Sequence, residues 1–211
     1  MLNWDTVVMT WVVMGILTVF GILVLSRLNP GRPSGMQAVA ELAVEFVDGL
    51  VKRNTPGRAG SAFPVMSTLF LFILVANLLG LVPGLRSPTA DINVTLALAV
   101  SVFATSAAVG IRTKGLDGYL REYFEPNLLF LPLNLIEAGT RIITLAFRLF
   151  GNMFAGDVLI LVLAKLVAFV VPLFGQLFHV FISVLQAYLF TMLSISYVAM
   201  EADPGHSHGR E

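Results

Sequence analysis

Long uncharged runs separated by short polar stretches dominate this chain. Residues 6–25, 59–85 and 92–111 contain no Asp, Glu, Lys or Arg. Each reaches the roughly 20 helical residues that a bilayer's hydrocarbon core requires. The pattern predicts a membrane-spanning helix in each. Pro83 and Gly84 close the second run, and the short stretch 86–91 makes the second and third runs an antiparallel hairpin. Residues 112–125 are polar. From 126 to 200 the chain again carries few charges, over a length too great for one crossing. Pro172 and Gly175 are the breaker signals there. They divide the stretch into helices over 126–170 and 174–200, expected to be long, tilted and paired as a hairpin.

Residues 36–53 follow another pattern. Gln37, Glu41, Glu45, Asp48 and Lys52 recur at steps of four or three and share one helical face. Val39, Leu42, Ala43, Phe46, Val47 and Leu50 occupy the other. Such a helix is expected to lie in the membrane interface; a small packed core helix is the competing account. The fold class expected is an all-α membrane protein in a single membrane domain. It has about five membrane-inserted helices, one interfacial amphipathic helix, and a cytoplasmic tail over 201–211.

Composition strengthens this picture. The chain is 57% hydrophobic and 12% charged, about half the charged fraction of a soluble domain. Thirteen basic residues balance thirteen acidic ones, which gives no argument for nucleic acid. The absence of cysteine excludes disulfides and thiolate metal sites. His206 and His208 cluster in the polar tail and make a weak metal candidate; no cofactor or metal is expected. Asp5 before the first run and Ser26-Arg27 after it lack the marks of a cleaved signal, so that run is read as a retained helix. Arg27, Arg32, Lys52, Arg53 and Arg58 lie between the first two spans, and Arg112, Lys114 and Arg121 follow the third. Arg86 stands alone on the opposite side. The excess of basic residues marks cytoplasmic loops, which puts the N-terminus outside and the C-terminal tail inside.

The last two predicted helices hold charges where charges are costly. Between 126 and 200 stand Glu137, Arg141, Arg148, Asp157, Lys165 and His179. An Arg or Asp at a helix centre costs about 2.5–3.5 kcal/mol on insertion scales. Such groups face water, a partner or one another, and some only join subunits. At about 100° per residue, Glu137, Arg141, Thr144, Arg148 and Asn152 share one stripe. Gly151, Ala155 and Gly156 make the neighbouring surface small, which suits an approaching helix. Folding the two helices together brings Asp157 level with His179 and Arg148 level with Gln186, for a mirror point at 167–168. That register falls a few residues short of the break at Pro172. It gives an outer cluster (Asp157, His179, Asn152), a central cation (Arg148) and an inner carboxylate (Glu137). Asp and His exchange protons readily, whereas Arg does not. A fixed Arg between two polar half-paths blocks direct proton flow, so protons would cross only on a mobile carboxylate. This chain has no such group, and a partner should supply it.

The stretch Arg148 to Asp157, RLFGNMFAGD, closely resembles the signature of subunit a of the F-type rotary ATP synthases. So do NLLGLVP at 77–83, SPTADINVT at 87–95 and LQAY at 185–188, in the same order along the chain. The resemblance covers nearly all of 37–200. It implies a non-catalytic stator subunit of the proton channel, in a bacterial cell membrane, pressed against a rotating ring of c subunits. Peripheral-stalk b subunits are the other partners it implies. Arg148 then matches the family's essential arginine, and Asn152 the polar residue one turn on. Asp157 stands where many members have glutamate. His179 and Gln186 match polar positions of the last helix, and Glu137 an acidic position on the cytoplasmic side. The mobile carboxylate belongs to the c subunit. Proton or sodium coupling is left open, since the ring's own site makes that choice. Lys165 departs from the pattern and is expected to snorkel to the outer interface. Arg141 is divided between the path and a simple i,i+4 pair with Glu137. Asp91 is expected to cap the following helix.

Other functional classes fit less well. A secondary ion or solute transporter would show internal repeats, and none is visible. An intramembrane hydrolase would need a nucleophile in a recognisable motif or an HExxH pair. A purely structural membrane subunit is a further alternative.

Overall fold

The computed structural model describes residues 4–26, 35–54, 62–82, 85–124, 131–166 and 170–202. Helices account for nearly all of them: α1 (Trp4–Ser26), α2 (Gly35–Asn54), α3 (Phe63–Leu79), α4 (Ile92–Phe124), α5 (Leu131–Leu166) and α6 (Val170–Ala202), with a single 3-10 turn at Pro88–Ala90. No strand occurs among the described residues. Four helices, α1, α4, α5 and α6, are long and apolar enough to cross a membrane, and α3 is a shorter apolar helix. The chain is an all-α membrane protein.

Apolar content does not by itself set where a helix stops. Residues 59–85 carry no charge, yet α3 occupies 63–79. Pro64 stands at its start, where a missing N–H costs no helical bond. At the other end Gly80 lies against Ser87: a Cβ on Gly80 would stand 2.6 Å from that of Ser87. The chain therefore turns there and doubles back into the 3-10 segment. Ser87 donates to the Ala76 carbonyl at 3.0 Å, satisfying one of the acceptors that α3 leaves free at its end.

The polar stretch 112–125 is helical as far as Phe124. Gly115, at φ 77°, ψ 165°, kinks α4 there, a left-handed conformation that costs glycine little. The kink brings the Tyr119 ring back onto Gly110, where a Cβ would stand 2.9 Å from it.

The break between the last two helices lies upstream of both breaker residues. α5 ends at Leu166 and α6 begins at Val170. Pro172 thus falls in the first turn of α6, where proline is tolerated. Gly175 lets α5 approach: a Cβ there would meet Leu163 at 3.0 Å. With 36 residues, α5 is about 54 Å long at 1.5 Å per residue, well beyond the roughly 30 Å hydrocarbon core.

α6 is the central element, touching α2, α3, α4 and α5. Its Ala187, Phe190, Ile195 and Val198 join Ile73 and Ala76 of α3, Ala99 and Val102 of α4, and Leu145 and Leu149 of α5 in one buried cluster. α2 docks through Val47 and Val51, while Met36, Val39 and Leu42 stay exposed. Its Phe46 ring lies 5.6 Å from Phe70 and 5.9 Å from Tyr188.

Candidate functional site

Polar side chains collect at three levels along the α5–α6 pair. The first level is near the α5 C-terminus. Gly156 has no side chain, so the His179 ring of α6 lies against the α5 backbone. A Cβ at 156 would stand 2.6 Å from His179 Nε2. His179 is 2% exposed, and neither ring nitrogen has a hydrogen-bond partner among the described residues. Asp157, half-buried, is within electrostatic reach of His179 and of Arg86 in the α3–α4 connection. A carboxylate and an imidazole are both groups that can take up and release a proton.

The second level is mid-helix. Asn152 Nδ2 donates to Gln186 Oε1 at 2.6 Å, joining α5 to α6. Gln186 is fully buried, and its Nε2 has no partner among the described residues. Arg148 lies one turn from Asn152 on the same stripe, half-buried. Among the described residues it makes no ion pair or hydrogen bond. Gln186 therefore reaches Asn152 and not Arg148, one turn from the level that sequence register suggests. Phe147 and Phe154 beside this level are exposed, and a Cβ on Gly151 would touch nothing within 4 Å. The flank next to Arg148 is open and apolar.

The third level is toward the α5 N-terminus. Arg141 Nη2 bonds Glu137 Oε1 at 2.7 Å. Its Nη1 lies 3.6 Å from Glu201 Oε1 of α6, and its guanidinium carbon 5.5 Å from the Tyr197 ring centre. Glu137 is 59% exposed and Glu201 15%. A cavity of about 20 Å³ opens here between α4, α5 and α6, with Ser106, Arg141, Tyr197 and Glu201 among its lining. Glu201 is not among the sequence candidates, because position 201 opens the expected tail. The sequence offers only the spacing of Tyr197 and Glu201, four apart on one helical face.

A polar knot fixes the C-terminal end of α3 against α6. Thr89 Oγ1 donates to Asn77 Oδ1 at 2.6 Å, and Asn77 Nδ2 to the Ser183 carbonyl at 3.3 Å. Gln176 Nε2 donates to the Leu81 carbonyl at 2.6 Å. Asp91 accepts the Asn93 backbone N–H at 2.9 Å, the geometry of a helix cap, and the Thr6 hydroxyl of α1 at 3.0 Å. Lys165 is exposed. Among the described residues no three His, Cys, Asp or Glu stand together to hold a metal; His206 and His208 lie outside them.

The chain is similar to known proteins over most of its length. Residues 7–199 match the family model described as ATP synthase A chain. ATP synthase subunit a of Desulforamulus reducens is 40% identical, over 93% of this chain and 79% of its own length. ATP synthase subunit a of Moorella thermoacetica is 37% identical, over 93% and 89%. ATP synthase subunit a 1 of Hahella chejuensis is 39% identical, over 92% and 82%. The chain, a multi-pass membrane protein with polar side chains at three levels of its last two helices, belongs to the ATP synthase A chain family.

Proposed function

We propose that this chain is the stationary, non-catalytic half of a proton path in a bacterial cell-membrane ATP synthase. A ring of c subunits runs past the open flank of α5, and peripheral-stalk b subunits hold the chain still. Protons are taken up through Asp157, His179 and the Asn152–Gln186 pair. They neutralise a ring carboxylate, travel with the ring, and leave toward Glu137 on the cytoplasmic side. The membrane potential contributes about 2.3 kcal/mol per charge per 100 mV, which drives the ring.

The observation that carries this reading is Arg148, a cation at the middle of α5 with no carboxylate paired to it among the described residues. Nine residues separate it from Asp157 and eleven from Glu137, about 14 Å and 16 Å along the axis. A charge held on an otherwise apolar flank needs a partner, and a passing carboxylate supplies one. At about 4 Å and an effective dielectric near 20 their attraction is roughly 4 kcal/mol. That shifts the carboxyl's proton equilibrium by close to a thousandfold, enough to strip the proton from a carboxyl beside Arg148 while one away from it stays neutral.

Arg148→Ala, in the assembled complex in inverted membrane vesicles, tests this. ATP-driven acidification should fall by about a hundredfold or more while the complex still assembles. Acidification near the unsubstituted rate would end the proposal, and lost assembly with normal coupling in the residual complex would favour a structural role.

A further inference from the structure

Glu137 is the residue that sequence singles out at the inner end, yet it faces mostly outward. The inward-facing carboxylate is that of Glu201, 15% exposed against 59% for Glu137. It comes from the other helix and meets the same guanidinium. One guanidinium thus stands between two carboxylates, and Glu201 makes a further contact besides. The neighbouring cavity, about 20 Å³ and lined by Ser106, Arg141, Tyr197 and Glu201, has room for about one water with polar partners. The folded-back end of α4 closes the other side. Tyr119 packs on Gly110, and a Cβ at 110 would stand 3.5 Å from that of Glu201. Arg141 is seven residues from Arg148, about 10 Å along α5.

We propose that Glu201 is the proton relay of the inner half-path. Its carboxylate takes the proton that the ring carboxyl releases, passed on through water in the cavity, and becomes the neutral acid. It then returns the proton to bulk water beside Glu137, regaining its charge next to Arg141. Arg141 is a positioning residue here: it holds Glu201 at the cavity through charge, and the Tyr197 ring holds Arg141. The inference rests on the stator reading above and adds to it the group that conducts the last inward step.

The test uses the whole complex in inverted vesicles, with ATP-driven acidification and passive proton conduction as readouts. Glu201→Gln should lower both by about a hundredfold or more, the scale of a positioned acid–base group, and Glu201→Asp, which keeps the carboxylate, should retain most of the flux. A merely structural clasp would be repaired by removing both charges, so the double variant Arg141→Gln, Glu201→Gln is decisive. A relay predicts that it assembles and stays as slow as Glu201→Gln. Restored flux in the double variant, or a Glu201→Gln protein within about twofold of normal, would overturn the proposal. Should Glu201→Gln fail to assemble, the double variant alone decides. Arg148→Ala runs alongside: normal coupling there sinks the stator reading, whereas its loss beside an unaffected Glu201→Gln sinks the relay alone.

Discussion

Gly156 shows how one missing side chain sets the chemistry available to another. The His179 ring occupies the space where a Cβ at 156 would sit, 2.6 Å from Nε2. A methyl there must turn the ring or part the helices. Ala is the better helix former by about 1 kcal/mol, so backbone preference alone favours the substitution. Overpacking of about 1–3 kcal/mol opposes it. Gly156→Ala should therefore destabilise the chain modestly and slow proton uptake several-fold. In a His179→Ala background, with the ring gone, the same change should be neutral or stabilising. A double-mutant cycle read by thermal unfolding in detergent should give a coupling above about 0.5 kcal/mol. A coupling near zero would show that the ring does not rest on Gly156.

Between elements, polar contacts do what apolar ones cannot in a bilayer, where lipid tails compete equally for apolar side chains. Asn77 is the clearest instance, bonded to Thr89 and to the Ser183 carbonyl. Asn77→Leu removes both bonds and leaves Thr89 facing an apolar surface. Membrane hydrogen bonds average about 0.6 kcal/mol and reach about 1.7, so a loss of about 1–2 kcal/mol is expected, with α3 loosened against α6. Unchanged unfolding in detergent would mean the knot contributes nothing. The helices themselves were legible because their uncharged runs are long. Their ends were less so, because ends depend on contacts: Gly80 on Ser87, Tyr119 on Gly110. Pro172 reads equally well as a break or as a first helical turn. The same holds for the site. Costly charges and the 3.6-residue stripe single out Arg148, Asn152 and Glu137 within one helix. Which residue faces which across helices, Asn152 to Gln186 and Arg141 to Glu201, depends on a register that no single strand of sequence states. Glu201 was missed for that reason: alone at a helix end it looks like any solvated acid.

Seen whole, the chain is graded from a well-packed centre to a loosely held edge. In its most apolar window α6 is 44% buried, whereas α1 is 6% buried. Val13 is the buried residue of α1, and the Thr6–Asp91 hydrogen bond ties its N-terminal end. Most of its apolar surface, Trp11, Val19 and Ile22 included, faces away from the protein. Local stability follows buried contact, and segments with little of it open first. In the isolated chain in detergent, amide hydrogen exchange should therefore be fastest in α1 among the long apolar helices and slowest in α6. The partners proposed above would change that order only where they cover exposed surface. Assembly into the complex should slow exchange along the α5 flank around Phe147 and Phe154 and leave central α6, already packed, nearly unchanged. If α6 gained the greater protection, the ring would press on a different face and the open flank beside Arg148 would need another occupant.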